Sequence, residues 1–373
     1  MRIVFITNNY TPYSGGVVSS INVTVEQLRA NGHEVFVVTL NFLDDNHTDP
    51  EWVFRVPCPI RFTYKTNPMA VPFRAHKNVL RLLDMLKPDI VHVHHPFLLG
   101  VAGYKAAQAI GIPIIFTYHT MYEKYAHYVP LPAMFTQPVI KKLAIDFCKK
   151  VQGIVVPSGG IYSFLRESGV QTPMRVIPSG IQECFFTQPT VGDRANRFQL
   201  LLVSRFQKEK NIPFVLDVFS KLDSARYSLT LVGYGAEYDA LRAYAYESLG
   251  LNSDDVQFVV RPSRDELVDL YQRAHLFLFP SQTDTQGLVL VEAMAAGTPV
   301  VALDGPGQRD CVANGYNGFI VSDCKRMVEV IRQLGSNVDL YEELCVGARV
   351  TARCYAPIQT ASQLFSFYQS YLV

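Results

Sequence analysis

Two acidic residues, Asp284 and Glu292, lie eight positions apart in the segment Ser281–Val301. The apolar run Phe277–Phe279 before them predicts a strand, and the residues after Gly287 predict a helix, so Asp284 falls in the loop and Glu292 on the helix. At a helix start, backbone amides and the positive end of the helix dipole favour an anion such as a diphosphate. An isolated acid pair more often only caps and solvates a helix, so this spacing alone leaves both interpretations open.

Two basic residues, Arg205 and Lys210, follow the apolar run Phe198–Val203. At a strand end such cations can hold a diphosphate, and each charge-assisted hydrogen bond contributes about 1.5–3 kcal/mol. A leaving diphosphate gains negative charge as its bond to the transferred group breaks, so these contacts would also accelerate such a transfer. A solvated basic turn is the alternative, and Lys208 between the two is expected to be exposed.

Glycines and a histidine follow two further apolar runs. Gly15 and Gly16 come after the run Ile3–Thr7, and paired glycines let a backbone approach a ligand closely. His119 comes directly after the run Ile114–Tyr118. A plain turn and a structural histidine are the alternatives.

Three histidines, His92, His94 and His95, lie on or next to the run Ile90–His94. We expect strand alternation to put them on opposite faces, and no carboxylate pattern joins them, so we predict no metal site there.

These residues need strands and helices to position them, and short apolar runs alternate with amphipathic stretches along the chain. This alternation predicts a doubly wound parallel sheet. The pattern restarts after a looser stretch at 180–196, and 373 residues exceed one ordinary core, so we expect two Rossmann-like α/β domains. An amphipathic helix is predicted over Ile358–Leu372.

Composition excludes several classes of protein. Hydrophobic residues make up 49% and charged residues 18%, and the net charge is +1, which is globular and suggests no nucleic-acid partner. The 7 cysteines include no C-x-x-C pair, so we expect reduced thiols and neither disulfides nor zinc. No signal peptide or bilayer-length run is visible. We therefore expect a cytoplasmic protein, with any membrane contact peripheral and on the cytoplasmic face.

The segment Ser281–Val301, with its acid pair and its Ala-Met-Ala-Ala-Gly-Thr-Pro-Val-Val ending, resembles the family 4 retaining glycosyltransferases of the GT-B fold. The resemblance covers nearly the whole chain. It implies an α/β, GT-B fold of two facing Rossmann-like domains with a C-terminal helix crossing back to the first. The implied boundaries are 1–180 for an acceptor-binding domain, 181–355 for a nucleotide-sugar-binding domain and 356–373 for the helix.

The resemblance also implies roles around the acid pair. Glu292 would bind the ribose hydroxyls of the donor nucleotide, and Asp284 would lie beside the donor sugar. The family usually has glutamate at the first position, so Asp284 is one methylene shorter. The backbone at Gly287, Leu288 and Val289 would contact the donor sugar and the β-phosphate.

Further roles follow for the other motifs. Arg205 and Lys210 would hold the diphosphate, Gly15 and Gly16 would lie beside the donor phosphates, and His119 would contact the donor sugar. The chain contains no Asp-x-Asp pair. We therefore expect these fixed cations to replace a metal ion, with a nucleotide-diphosphate sugar as co-substrate and no cofactor.

Two segments, Tyr118–Tyr128 and Val91–Gly100, resemble the subgroup that glucosylates diacylglycerol, in appearance the 1,2-diacylglycerol 3-glucosyltransferases. This implies transfer of a hexose, glucose from UDP-glucose, to a lipid acceptor with retention of configuration. Residues 61–150 hold 12 basic and 4 acidic side chains. We expect an anionic membrane surface to bind through 61–87 and 141–150, with an amphipathic helix adding apolar insertion. An ordinary solvated helix face is the alternative.

Three other functions remain open. A glycosyl- or mannosyltransferase acting on a soluble or polysaccharide acceptor would share every donor motif, and acceptor screening separates it. A sugar-nucleotide epimerase also uses two Rossmann-like domains, but the acid spacing together with Arg205 and Lys210 disfavours it. A nucleotide-binding module without catalysis would release no nucleotide from a donor.

Overall fold

The computed structural model describes residues 1–13, 15–42, 48–64, 67–122, 133–186 and 197–372. The chain divides into two compact units, which are described separately below. Unit 1 comprises Met1–Gly180 and Pro357–Val373, and unit 2 comprises Ile181–Ala356.

Unit 1 is a parallel sheet between helices, with one separate hairpin. Its strands are β1 (Arg2–Ile6), β2 (Glu34–Leu40), β3 (Val53–Val56), β4 (Ile60–Tyr64), β5 (Asn67–Val71), β6 (Ile90–Val93), β7 (Ile114–Thr117), β8 (Gly153–Val156) and β9 (Met174–Val176). Its helices are α1 (Gly16–Ala30), α2 (Ala75–Leu86), α3 (Leu99–Ala109), α4 (Ala133–Cys148), α5 (Gly159–Glu167) and α13 (Pro357–Gln369).

The sheet of unit 1 has the order β3-β2-β1-β6-β7-β8-β9, and the pairing is parallel throughout. The chain runs outward from β1 in one direction and then outward from β6 in the other. The order therefore reverses between β1 and β6, and in open α/β sheets ligands bind outside the carboxyl ends of the strands at such a point.

Both faces of this sheet are covered. Val4 and Ile6 of β1 belong to the core under α2 and α3, while Ile3 and Phe5 face the core under α1 and α13. A strand that is buried on both faces reads as a continuous apolar run, and for this reason the sequence shows β1 so clearly.

Helix α13 completes the second of these cores. Its residues Ala361, Leu364, Phe367 and Tyr368 are buried, and α13 packs against α1.

Unit 2 is a second parallel sheet between helices. Its strands are β10 (Phe198–Val203), β11 (Tyr227–Val232), β12 (Val256–Val259), β13 (Leu276–Phe279), β14 (Val300–Leu303) and β15 (Gly318–Val321). Its helices are α6 (Ile212–Phe219), α7 (Tyr238–Ala243), α8 (Arg264–Arg273), α9 (Leu288–Ala295), α10 (Pro306–Cys311), α11 (Cys324–Leu334) and α12 (Val338–Arg353).

The sheet of unit 2 has the order β12-β11-β10-β13-β14-β15, again with parallel pairs. The order reverses between β10 and β13. The loops after these two strands therefore occupy the position where a Rossmann-like sheet binds its ligand.

The segment 61–87 differs from the expectation of a lipid-inserting helix. Strands β4 and β5 form an antiparallel hairpin before α2. The apolar side of α2 is used in the core, where Val79, Leu83 and Leu86 are buried. The hydrophobic periodicity of this helix therefore reflects packing within unit 1, although Met85 on the same helix and Phe73 just before it are exposed. Within the described residues, no helix combines the length and apolarity needed to cross a bilayer.

Candidate functional site

Lys210 and Asp284 form an ion pair at the sheet reversal of unit 2. Lys210 ends a short 3₁₀ turn after β10, and Asp284 lies in the loop after β13. The Lys210 Nζ atom is 2.6 Å from Asp284 Oδ1 and 2.9 Å from Oδ2, and the side chains are only 12% and 18% exposed. Two of the three ammonium hydrogens thus bond the carboxylate, which leaves one for a further acceptor.

Arg205 lies between β10 and this turn and pairs with another acid. Its Nη2 atom is 3.8 Å from Glu209 Oε1, while Lys208 between them is exposed as expected. The sequence interpretation assigned no role to Glu209. The structure therefore places a carboxylate against each of the two predicted diphosphate-binding cations.

Helix α9 begins immediately after the Asp284 loop. Gly287 is its N-cap with φ of 67°, in the left-handed region, and no side chain caps the first turn. Leu288 and Val289 form that turn, half-buried. The adjacent α8 instead has a capping box made by Ser263 and Glu266. The start of α9 thus presents backbone amides without a side-chain oxygen among them, which suits a phosphate or a sugar hydroxyl.

Glu292 lies one turn further along α9 and contacts a buried tyrosine. The Tyr271 hydroxyl, on α8, donates to Glu292 Oε2 at 2.9 Å. Burial raises the pKa of Glu292 to about 7, although this hydrogen bond and the charge of Arg264 act in the opposite direction. Hydrogen bonds donated to this carboxyl group by a ligand would lower its pKa and favour its ionised form.

Helix α10 holds the loop that carries Asp284 through hydrogen bonds to its backbone carbonyls. The Gly307 N–H donates to the Asp284 carbonyl at 3.0 Å, and a Cβ at Gly307 would come within 2.8 Å of Gln286. Gln308 is fully buried and its amide nitrogen donates to the Ser281 carbonyl. The sequence analysis assigned no role to α10, so this support was missed.

In unit 1, Gly15 and Gly16 start helix α1. Gly15 has φ of 165°, which any residue can adopt, and an added Cβ would meet only a Tyr13 ring carbon at 3.5 Å. The local fold therefore does not require a glycine at position 15. Arg55 on β3 donates to the Thr11 carbonyl at 2.6 Å and so holds the chain ahead of these glycines. Ser14 lies outside the described residues.

His119 follows β7 and lies against a second histidine. Its Nε2 atom is 2.8 Å from Nδ1 of His94, which follows β6. Burial lowers the pKa of both imidazoles well below the ordinary value, with the neighbouring histidines adding to the effect, so both rings are neutral at pH 7.

The expectation that the histidines of β6 lie on opposite faces is wrong for His92 and His94. They are two residues apart, so strand alternation puts them on the same side, with ring centroids 4.3 Å apart. Only His95 turns away, and its Nδ1 accepts from the Asn8 N–H at 3.2 Å. His92 bonds the Tyr368 hydroxyl through Nδ1 and Thr117 Oγ1 through Nε2, so both its nitrogens are used.

Within the ranges that the structure describes, no group of three or more His, Cys, Asp or Glu side chains is arranged to hold a metal ion. No disulfide joins the cysteines within those ranges.

The predicted site residues thus fall into two sets. Unit 1 holds Gly15, Gly16 and His119, and unit 2 holds those after β10 and β13: Arg205, Lys210, Asp284, Gly287, Leu288, Val289 and Glu292. The rest of the tyrosine- and histidine-rich motif, residues 123–128, and part of the predicted linker, residues 187–196, lie outside the described residues.

Comparison with known proteins identifies the family. The model of Glycosyltransferase Family 4 matches residues 14–183, and that of Glycosyl transferases group 1 matches residues 188–349. The alpha-monoglucosyldiacylglycerol synthase of Streptococcus pneumoniae is 31% identical over 334 residues, which cover 86% of this chain and 75% of that protein. The chain belongs to glycosyltransferase family 4.

Other relatives of this family 4 glycosyltransferase carry more than one specificity. The alpha-monoglucosyldiacylglycerol synthase of Acholeplasma laidlawii is 29% identical and covers 95% of this chain and 94% of that protein. The GDP-mannose-dependent alpha-mannosyltransferase of Corynebacterium glutamicum is 24% identical, with 93% and 84% covered. The predicted closeness to diacylglycerol glucosyltransferases is confirmed.

Solved structures establish the fold of this family 4 glycosyltransferase as GT-B. Sucrose-phosphate synthase of Thermosynechococcus elongatus superimposes with a TM-score of 0.82 at 21% identity, over 99% of this chain and 98% of the other. Anabaena Alr3699/HepE in complex with UDP-glucose gives 0.78 at 17% identity, over 99% and 100%. The predicted pair of Rossmann-like α/β domains is therefore confirmed.

Proposed function

We propose that this glycosyltransferase transfers glucose from UDP-glucose to diacylglycerol, with retention at the anomeric carbon and without a metal ion. Two relatives named as alpha-monoglucosyldiacylglycerol synthases support the acceptor and the sugar. The UDP-glucose complex of Alr3699/HepE supports the donor. UDP-glucose is an α-glucoside, so an α-linked product requires retention.

One observation carries the proposal. The loops after β10 and β13 bring Lys210 and Asp284 within 2.6 Å at the sheet reversal, directly before the uncapped start of α9. A diphosphate placed there gains the third Lys210 N–H and the amides of α9, and a sugar hydroxyl can donate to Asp284. Glu292, farther along the same helix, is proposed to accept from the ribose hydroxyls.

In the proposed reaction, the bond between the anomeric carbon and the β-phosphate oxygen breaks as the acceptor hydroxyl oxygen bonds the same face of that carbon. The hydroxyl proton passes to the departing phosphate oxygen. Lys210 and Arg205 stabilise the charge that develops on the diphosphate, which makes their contribution larger in the transition state than in the ground state. His119 is proposed to contact the donor sugar.

A donor and acceptor panel tests the reaction. The protein is incubated with UDP-glucose or GDP-mannose and with dioleoylglycerol or a soluble polysaccharide, after chelation of divalent cations, and lipid-linked sugar and nucleotide release are followed. We expect glucolipid from UDP-glucose alone. Product formed only after metal is restored would refute the metal-independent mechanism, and no product with any pair would refute the transferase.

The anomeric configuration is checked separately on the purified glucolipid by proton NMR. An α-anomer is expected. A β-anomer would refute retention and leave the choice of donor and acceptor intact.

A mannosyltransferase is the second possibility, favoured by the GDP-mannose-dependent relative at 24% identity. Mannolipid or mannan formed from GDP-mannose in the same panel would establish it in place of the glucosyltransferase.

The lipid acceptor requires access to a membrane, for which helix α4 is the proposed contact. Met134, Phe135, Val139 and Leu143 on this helix are exposed, and Phe135, Val139 and Leu143 recur at helical spacing. Lys141, Lys142, Lys149 and Lys150 are exposed in or just after the same helix. We propose that this α4 face binds an anionic lipid surface, with apolar insertion and about 1 kcal/mol from each nearby lysine.

Vesicle flotation with matched variants tests the α4 face. Val139 on α4 and Val346 on α12 are both exposed valines, 56% and 54% exposed. With vesicles rich in phosphatidylglycerol, we expect Val139→Glu to reduce co-flotation several-fold and Val346→Glu to leave it unchanged. Equal flotation of both variants, or no preference for anionic over neutral vesicles, would refute this contact.

A further inference from the structure

We propose that His94 is a positioning residue for His119, whose ring orientation and tautomer it sets through the hydrogen bond between its Nδ1 and His119 Nε2. The reaction as proposed above gives His94 no part. The inference rests on the proposed function only for the contact of His119 with the donor sugar.

Neighbouring strands bring the two rings together. His94 and His119 follow β6 and β7, which pair in parallel with Val93 opposite Phe116. Their ring planes are inclined by 25°, the centroids are 5.1 Å apart and the two nitrogens are 2.8 Å apart. This distance is that of a direct hydrogen bond.

His94 is held by the fold and is too buried to contact a substrate. It is 4% exposed, and its ring packs between Phe5, at 4.8 Å, and His92. Its backbone N–H donates to the Ile6 carbonyl, and its own carbonyl accepts from the Tyr122 hydroxyl. A ring fixed in this way is a rigid reference for the orientation of His119.

The remaining nitrogen of His94 decides the tautomer. Nε2 of His94 is buried and has no hydrogen-bond partner among the described residues. The ring lines a small cavity of about 30 Å³ next to Ser20 and Thr24. An acceptor nitrogen tolerates this position better than an unpaired N–H does, because orphaned buried donors are the rarer case.

His94 therefore carries its proton on Nδ1 and donates it to His119. His119 accepts on Nε2, so its own proton lies on Nδ1. Because both rings are neutral, this arrangement gives His119 a single ring proton at a defined nitrogen, in a ring whose orientation is fixed.

Nitrogen NMR of the protein labelled with ¹⁵N-histidine tests the tautomer without any activity measurement. The spectrum of His119→Gln identifies the resonances of His119. We expect His119 to be protonated on Nδ1 in the native protein and to shift towards Nε2 protonation in His94→Leu, which offers no donor. Protonation of His119 on Nε2 in the native protein, or the same tautomer in both proteins, would overturn the inference.

Kinetics distinguish positioning from a purely structural role. We expect His94→Leu to lower kcat/KM for UDP-glucose about 10-fold, and His94→Asn, whose amide nitrogen is bonded to Cγ as Nδ1 is, to restore most of it. In a His119→Ala background, the His94→Leu change should add little, because its effect acts through His119. An equal loss in both backgrounds would overturn the inference. If the protein transfers no sugar at all, the NMR result still decides the tautomer, so the two failures remain distinct.

Discussion

Replacing Glu292 by glutamine should stabilise unit 2 at neutral and alkaline pH while it weakens nucleotide binding. The side chain is half-buried, and desolvation is the main cause that raises the pKa of its carboxyl group to about 7. Glutamine has nearly the same shape, carries no charge and can still accept from the Tyr271 hydroxyl.

The sign and size of this effect follow from the pKa. Below the ordinary pKa of 4.5 the carboxyl is neutral in both the folded and the unfolded chain, so it imposes no ionisation cost on folding. As the pH rises from there through about 7, the unfolded chain ionises first and the folded state becomes relatively less stable. The full difference corresponds to about 3 kcal/mol. We expect Glu292→Gln to be more stable than the native protein by up to about this amount above pH 7 and by none near pH 4.

Hydrogen exchange with mass spectrometry on peptides from α9 measures this difference locally, with both proteins compared at each pH so that intrinsic exchange rates cancel. Calorimetric titration with UDP measures the binding. The expected pattern is slower exchange in α9 of the variant at pH 8, equal exchange near pH 4, and weaker binding at pH 8. A stability difference that does not change with pH would refute the assigned burial of a titrating carboxyl. Unchanged UDP affinity would refute the ribose contact.

Three other changes give independent outcomes. Lys210→Ala should reduce kcat by about 10²–10³ by removing a cation from the developing charge, whereas Lys208→Ala, on the same turn but exposed, should retain native activity in the transfer assay. His92→Gln should make the protein less sensitive to acid. Burial lowers the pKa of His92 to about 3, so protonation of this histidine in the unfolded chain destabilises the folded state as the pH drops below about 6.5. At pH 5 the free energy of unfolding is lower by about 2 kcal/mol because of this histidine alone. Denaturant titration at pH 8 and pH 5, followed by fluorescence of the chain's single tryptophan, Trp52 in unit 1, should show that difference, and an identical pH dependence of the variant would contradict it. Gly15→Ala should leave the free energy of unfolding unchanged and reduce sugar transfer. Gly32→Ala, where φ is 85°, should lower the free energy of unfolding by about 1 kcal/mol in the same titration. A loss of stability in Gly15→Ala would show that the fold needs that glycine.

The inner strands of both sheets were predictable because a parallel strand that is buried on both faces reads as an uninterrupted apolar run. The run Phe277–Phe279, which predicted a strand, lies within the fully buried β13 for this reason. Strand β3 and the β4–β5 hairpin were missed, since these strands are partly exposed and mix charged residues such as Arg55 and Arg61 with apolar ones. The periodicity of α2 was visible, but periodicity cannot tell a core-facing stripe from a lipid-facing one.

The candidate site was predictable wherever a motif is contiguous in the sequence. Asp284, Gly287 and Glu292 lie on one loop and one helix, so their order along the chain already sets their order in space. The pairing of Lys210 with Asp284 and of Tyr271 with Glu292 depends instead on which strands and helices are neighbours. Local patterns do not carry that information.

The histidines show the same limit. His94 and His119 are twenty-five residues apart and meet only because β6 and β7 pair in one particular register. Strand alternation was a sound principle, but the comparison of His92 with His94 requires counting two residues and not one.

Helix α13 belongs to unit 1 but is synthesised after unit 2. Unit 1 begins with residue 1 but takes its last helix from 357–369, so every residue of unit 2 leaves the ribosome before unit 1 has all of its own. Until then, the sheet face with Ile3 and Phe5 lacks the cover of Leu364, Phe367 and Tyr368. The amino-terminal half of the nascent chain must therefore wait with apolar surface exposed, which is the condition under which folding intermediates aggregate or recruit chaperones.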